Sequence, residues 1–136
     1  MRRVFLDTNV ALDLIADRGP FADDADEIFN AGREGTIELA MCSLSFTNIY
    51  YLTKKLNGSA AAMAAIKDLK PLVAVLAVDT KCIERSIVSD FDDFEDAVQY
   101  HSALEGDVDL IITRDEKGFK RSRLPVMTPK AFLRTL

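Results

Sequence analysis

Residues 4–9 read Val-Phe-Leu-Asp-Thr-Asn, an apolar run that ends in a carboxylate followed by two small polar side chains. A short apolar run with polar borders predicts a buried strand, which places Asp7 at its carboxyl end. Open α/β sheets bind their ligands in the crevice beyond the carboxyl ends of the strands. Asp7 is therefore a candidate functional residue, although an Asp between a strand and a helix can also serve as a helix cap.

Strand-like and helical patterns alternate along the whole chain. This alternation is typical of βαβ units and predicts an α/β protein whose mostly parallel sheet is covered by helices on both faces. Nothing in the sequence marks a linker or a repeat, so residues 1–136 are expected to form one domain. Strands are predicted at residues 3–7, 37–42, 72–78, 108–113 and 125–127, with helices in every interval.

Two other carboxylate sources fall where a parallel sheet would bring them close to Asp7. Asp115 follows the strand-like residues 109–113, and the acidic stretch 90–96 stands at a predicted helix start. Within that stretch Asp93 and Asp96 share one face of the helix, because they are three residues apart. Acidic residues also suit the first turn of any helix, which offers a purely structural explanation for part of this cluster.

A group of neighbouring carboxylates predicts a cation site. Carboxylates that share a pocket raise one another's pKa, and a bound hard cation relieves that repulsion. An all-oxygen set with room for water favours Mg²⁺ or Mn²⁺ over zinc. Because such ions activate water and polarise phosphates, the predicted chemistry is phosphodiester hydrolysis.

The composition indicates the state of the cysteines and the cellular compartment. Cys42 and Cys82 have no accompanying histidine cluster, so buried thiols are expected rather than a zinc site or a disulfide framework. No apolar run approaches the ~20 residues of a membrane span, and no signal-peptide core follows the N-terminus. We therefore expect a cytoplasmic protein that does not bind membranes.

The charge is unevenly distributed. The net charge of −5 does not favour nucleic-acid binding, but residues 116–136 hold six basic side chains against one acidic side chain. An acidic pocket with a basic rim would suit a metal site that acts on a polyanion, and two differently solvated surfaces would explain the charges equally well. The basic residues are Lys117, Lys120, Arg121, Arg123, Lys130 and Arg134.

Three sequence motifs resemble those of the PIN-domain nucleases in content, order and spacing, and the resemblance covers essentially the whole chain. They are residues 4–9, Glu95-Asp96-Ala97 at a helix start, and Ile-Ile-Thr-Arg-Asp at 111–115 followed by Phe119. The resemblance implies a three-layer α/β/α sandwich with a central, mostly parallel five-stranded sheet. For members of this length it implies the toxin of a virulence-associated (VapC-like) toxin–antitoxin pair, which cleaves RNA with Mg²⁺ or Mn²⁺, binds a small protein antitoxin and forms a homodimer.

The same resemblance assigns roles to residues. Asp7, Asp96 and Asp115 would be the catalytic metal ligands, with Asp93 as a further candidate ligand. The predicted substrate contacts are Thr8, Asn9, Thr113 and Lys117.

Asn48 departs from the family pattern, which usually has a Glu in the first turns of the helix after the second strand. An Asn at this catalytic position can contact a metal or a water molecule but carries no charge. The site would then hold its cation weakly or rely on Asp93 or Glu95. Alternatively, Asn48 closes a capping box that starts at Ser45.

Three functions remain to be compared. The first is an active endoribonuclease, and the second, suggested by Asn48 and the acidic net charge, is a catalytically weakened PIN module that binds nucleic acid or a protein partner. A haloacid-dehalogenase-like phosphatase is disfavoured because Asn9 occupies the position of its second Asp.

His101 falls on an apolar helical stripe and is predicted to pack rather than to act as a base. Tyr50 and Tyr51 could stack on bases, although helix packing is the commoner use.

Overall fold

A computed structural model describes residues 1–136. Five parallel strands form one sheet with the order β3-β2-β1-β4-β5. The strands are β1 (Arg2–Leu6), β2 (Ile37–Cys42), β3 (Ala74–Leu76), β4 (Leu110–Ile112) and β5 (Val126–Met127). The α-helices are α1 (Thr8–Ile15), α2 (Gly19–Arg33), α3 (Ser43–Asn57), α4 (Ser59–Leu69), α5 (Thr80–Ile87), α6 (Phe94–Glu105) and α7 (Pro129–Leu133).

The central strands are apolar throughout because both of their faces are covered. Val4 and Leu6 of β1 point into a core shared with α1, α2 and α7, whereas Phe5 points into a core shared with α5 and α6. This alternation follows from the two-residue period of a strand. The predicted three-layer α/β/α sandwich with a five-stranded parallel sheet is therefore confirmed.

The strand order positions the functional site. From β1 the chain proceeds to β2 on one side, whereas β4 pairs with the other side of β1 and sets Leu6 beside Ile112. The sheet order therefore reverses between β1 and β4, which is the switch point at which open α/β sheets form their binding crevice. The residues that follow these two strands, Asp7 and Thr113, emerge side by side.

Several element boundaries differ from those that the sequence predicts. β3 is shorter than residues 72–78, because Lys70–Leu72 form a 3₁₀ turn that includes Pro71. Helix α7 was not predicted, since its five residues are too few to show helical periodicity. Helix α4 begins at Ser59, and Gly58 with φ 89° occupies its N-cap position. None of the helices combines the length and apolar composition that a transmembrane segment requires.

Candidate active site

Asp7 is held by two side-chain donors. The Thr113 hydroxyl donates to Oδ2 at 2.7 Å, and the Gln99 amide donates to Oδ1 at 3.0 Å. Asp7 occupies the N-cap position of α1, but its side chain makes no capping bond. Burial, which leaves the residue 5% exposed, raises its pKa despite the hydrogen bonds that oppose the rise. The carboxylate is therefore kept in a fixed orientation, and its hydrogen bonds go to this network rather than to the helix end.

A buried polar network connects these donors to four structural elements. The Gln99 Oε1 atom accepts a hydrogen bond from the backbone N–H of Thr8 at 3.3 Å, and the hydroxyls of Thr8 and Ser45 lie 2.6 Å apart. The Thr113 Oγ1 atom accepts a hydrogen bond from the backbone N–H of Asp115 at 3.0 Å. Thr113 is 0% exposed, so its contribution is to position Asp7 and Asp115 rather than to contact substrate.

The start of α6 supplies the second carboxylate source. Asp93 is the N-cap, and its Oδ1 accepts a hydrogen bond from the backbone N–H of Asp96 at 2.9 Å. Burial raises the pKa of Asp96 to about 7, with further contributions from the negative charges of Asp7, Asp93, Asp115 and Glu95. The structure therefore brings the predicted carboxylates into one electrostatically coupled group.

Gly118 allows two of these carboxylates to approach each other. A Cβ atom at this position would lie 2.6 Å from Oδ2 of Asp96 and 2.9 Å from Oδ2 of Asp115. The Gly118 backbone N–H donates to Oδ1 of Asp115 at 3.2 Å. Sequence reasoning missed Gly118, and its only signal was a glycine three residues after Asp115.

The site is an open pocket of about 650 Å³ at the switch point. Of the predicted substrate contacts, Thr8 and Asn9 line this pocket, whereas Lys117, on the 3₁₀ turn Glu116–Phe119, does not. The acidic and amide side chains that line the pocket are Asp7, Asn9, Asn48, Asp93, Glu95, Asp96 and Asp115.

The capping-box interpretation of Asn48 is wrong. Helix α3 begins at Ser43 after the N-cap Cys42, so Ser45 lies inside the helix and is fully buried. The Asn48 side chain lines the pocket. Burial raises the pKa of Glu95, the negative charges of Asp93 and Asp7 add to the rise, and the Asn48 side chain opposes it. Asn48 thus faces the acidic group across the pocket.

The structure also shows the surroundings of the histidine, tyrosine and cysteine residues that the sequence singled out. The His101 Nδ1 atom lies 2.8 Å from the Ala97 carbonyl oxygen, and the residue is absent from the pocket wall, which agrees with the predicted packing role. Tyr51 departs from the packing interpretation, because it is 62% exposed and lines the pocket. Cys42 and Cys82 are buried thiols as expected, and burial raises the pKa of both.

A buried ion pair beside the site was also missed. Asp13 is fully buried on α1, and Arg114 binds it through Nε at 2.6 Å and Nη2 at 3.0 Å. The guanidinium also lies 4.1 Å from the ring centroid of Phe21. Since Arg114 is flanked by Thr113 and Asp115, the pair anchors the loop that carries both. A lone acidic residue within the apolar stretch 10–15 was the only sequence signal.

The donor set fits a hard divalent cation. It consists of carboxylate and amide oxygens with no nitrogen or sulfur ligand. No three His, Cys, Asp or Glu side chains are arranged to hold an ion by themselves. That arrangement is compatible with Mg²⁺, which usually binds one or two carboxylates and keeps several waters. Of the carboxylates, Asp96 and Asp115 come together at Gly118, and Asp7 lies deeper in the pocket.

The sheet order and the acidic crevice define an α/β protein with a site at the topological switch point. The chain belongs to the PIN domain family, whose sequence model matches residues 3–117. No curated protein sequence matches this chain.

Solved structures share the fold. A chain of the DNA-bound VapBC complex from Salmonella typhimurium matches with a TM-score of 0.71 and 15% identity, covering 95% of this chain and 99% of that one. A toxin–antitoxin complex from Klebsiella pneumoniae gives 0.67 and 20% identity, with coverages of 93% and 97%. A sarcin–ricin-loop-cleaving toxin from Mycobacterium tuberculosis gives 0.64 and 17% identity, with coverages of 79% and 86%. At these identities the likeness is one of fold.

Proposed function

We propose that the chain is an endoribonuclease that uses Mg²⁺ or Mn²⁺ to hydrolyse phosphodiester bonds in single-stranded RNA. The observation that carries the proposal is the coupled group Asp7, Asp96 and Asp115 in one pocket at the switch point. Membership of the PIN domain family and the fold shared with a sarcin–ricin-loop-cleaving toxin support it.

In this proposal the cation would lie among Asp7, Asp96 and Asp115, with Asp93 beside them; one or two of these carboxylates would bind it directly and the others through its water molecules. The cation would supply an activated water molecule and charge neutralisation at the phosphate. Thr113 and Gln99 keep the Asp7 oxygens fixed, so little reorganisation is needed when the ion binds. Because the pKa of Asp96 is about 7 without an ion, binding at neutral pH releases a proton from this carboxyl.

Cleavage of an end-labelled single-stranded RNA with Mn²⁺ tests the proposal. We expect cleavage by the wild-type chain and none by Asp7→Asn or after addition of EDTA. Asp92→Asn is the matched control, because Asp92 belongs to the same acidic stretch but pairs with Lys120 at 3.4 Å outside the pocket. Equal cleavage by Asp7→Asn and the wild type would refute the proposal.

We further propose that the chain is the toxin of a toxin–antitoxin pair, binds a small antitoxin and forms a homodimer. The fold shared with chains of toxin–antitoxin complexes supports this assignment. Tyr51, Leu52 and Leu56 on α3 are 62%, 44% and 65% exposed beside the pocket, and exposed apolar patches usually mark protein contacts. Purification with the product of an adjacent small reading frame should give a stable, inactive complex. Light scattering of the chain alone should give the dimer mass.

A catalytically weakened module is the second candidate, and Asn48 is the observation that favours it. In that case calorimetry should show weak Mn²⁺ binding. Asn48→Glu should then raise the Mn²⁺ affinity, because it adds a negative charge to the wall of the pocket. Thr47→Glu is the matched control, since it adds the same charge to an exposed neighbouring position outside the pocket. RNA cleavage by the wild-type chain would exclude this candidate.

A further inference from the structure

A second depression, of about 310 Å³, collects positive charge on a chain whose net charge is −5. Three arginines line it, namely Arg85, Arg121 and Arg123, together with His101 and the single acidic residue Asp90. A protein that binds RNA needs cations against the backbone, which the carboxylate pocket does not provide. This arginine pocket is therefore the place to look for a backbone contact.

Arg121 and Arg123 have no internal ion-pair partner. No carboxylate oxygen lies within 4.0 Å of either guanidinium, whereas Lys120 in the same segment is paired with Asp92. Arg85 lies 3.8 Å from Glu105, which Lys81 also approaches. A free guanidinium is always charged, and its planar fork matches the oxygens of a phosphate.

The backbone that carries these arginines is held in place. The Arg123 backbone N–H donates to the Tyr100 hydroxyl at 3.1 Å, and Ser122 makes two hydrogen bonds to the Leu124 backbone. Tyr100 is buried and stacks on Phe91 with a centroid distance of 4.9 Å. The pocket is therefore preorganised, and binding costs mainly the ordering of the arginine side chains.

One helix and the segment before it separate the arginine pocket from the carboxylate pocket. Asp96 and His101 lie on this helix, five residues and hence about 7.5 Å apart along its axis and about 140° apart around it, so the two pockets open on different faces of the helix. The segment before this helix borders both pockets, because Asp90 and Phe91 line one and Asp93 lines the other. A nucleic-acid strand that passes over this segment would meet both sites.

We propose that Arg85, Arg121 and Arg123 bind a backbone phosphate of the RNA strand that the carboxylates cleave, flanking the scissile phosphate. The proposal rests on the proposed function for the identity of the strand. Its observational basis is separate, since it comes from the unpaired guanidiniums of Arg121 and Arg123, with Arg85 beside them, in a preformed depression.

The test measures binding without cleavage. A 5′-labelled single-stranded RNA of about twelve nucleotides is titrated in EDTA at several salt concentrations, with fluorescence anisotropy as the readout. Arg121→Ala/Arg123→Ala is compared with Lys130→Ala/Arg134→Ala, which removes the same charge from α7 and its C-cap, outside the pocket. All four residues are exposed, and circular dichroism checks that both variants fold.

We expect the arginine variant to bind about tenfold more weakly, as the loss of hydrogen bonds to a charged group implies. Its slope of log K against log salt should be shallower by about 0.7, the value for one phosphate of a single strand, and the control should keep the wild-type slope. An unchanged slope in the arginine variant, or equal losses in both variants, overturns the proposal.

The two proposals fail in different ways. RNA binding with the expected loss but no cleavage with Mn²⁺ would refute the nuclease and leave the phosphate site. Normal cleavage and binding by Arg121→Ala/Arg123→Ala would refute the phosphate site and leave the nuclease.

Discussion

Replacing Arg114 by methionine should destabilise the fold, because it leaves a buried carboxylate without its bidentate partner. The Asp13 side chain is 0% exposed, whereas Arg114 is 27% exposed. Breaking a buried ion pair by removing one partner typically costs about 3–5 kcal/mol. Arg18 remains 3.7 Å from Asp13 and partly neutralises its charge. We therefore expect the free energy of unfolding to fall by about 3 kcal/mol, the lower limit of that range.

Replacing the other partner of the pair, Asp13, should lower the stability less than replacing Arg114. Asp13→Asn leaves the positive charge on Arg114, which keeps contact with solvent and lies over the ring of Phe21. We expect a loss of about 1–2 kcal/mol, within the range for an unsatisfied buried group. The asymmetry between the two single variants is thus a direct consequence of which partner is fully buried.

Urea unfolding followed by circular dichroism measures both costs. Arg134→Met is the matched control, because Arg134 is exposed and belongs to no ion pair. The double variant Asp13→Leu/Arg114→Met removes both charges and should recover stability relative to Arg114→Met. A loss below about 1 kcal/mol for Arg114→Met, or a loss equal to that of the control, would show that the pair does not anchor this loop.

Three further predictions concern the carboxylate pocket. Thr113→Val removes the donor to Asp7, and we expect a loss of about 1–3 kcal/mol by urea unfolding and weaker Mn²⁺ binding by calorimetry, since the Asp7 pKa rises further. Because the Asp96 pKa rises from 3.8 to about 7 in the fold, the folded state binds the extra proton, and metal-free stability should fall as pH increases through this window. Thermal unfolding in EDTA at pH 4.5 and pH 8 should show that fall, and Asp96→Asn should flatten it. Gly118→Ala should weaken Mn²⁺ binding without lowering Tm, because its methyl group displaces the movable carboxylates of Asp96 and Asp115.

Each of these expectations has a result that contradicts it. Unchanged stability and Mn²⁺ affinity in Thr113→Val would mean that Gln99 alone fixes Asp7. The pH argument fails if Asp96→Asn keeps the wild-type dependence of thermal unfolding on pH. Wild-type Mn²⁺ affinity in Gly118→Ala would show that the approach of Asp96 and Asp115 has no part in cation binding.

Much of the fold was predictable because hydrophobic patterning is local. The apolar runs at residues 4–6 and 110–112 are buried on both faces, and β2 has its predicted bounds at Ile37–Cys42. Helix α7 escaped prediction because five residues do not show a period. The start of α3 was misplaced at Ser45 because a serine before an apolar stripe looks like a cap, whereas its hydroxyl is committed to Thr8.

The candidate site likewise has features that the sequence predicts and features that only the tertiary structure decides. The sequence alone placed Asp7 and Asp115 at the carboxyl ends of strands and Asp96 at a helix start, since each position depends on where a local pattern ends. Only the tertiary structure decided that β1 pairs with β4, which sets Thr113 beside Asp7 and brings Gln99 over it from α6. Strand order is a choice among long-range pairings that residue patterns do not encode.

The charges illustrate the same division. The sequence determined that residues 116–136 are basic and that the stretch before them is acidic. The tertiary structure decided which of these charges are neutralised, since Lys120 pairs with Asp92 while Arg121 and Arg123 remain free in the arginine pocket. It also paired Asp13 with Arg114 across 101 residues of chain, because a buried carboxylate must find a cation wherever the packing brings one within reach.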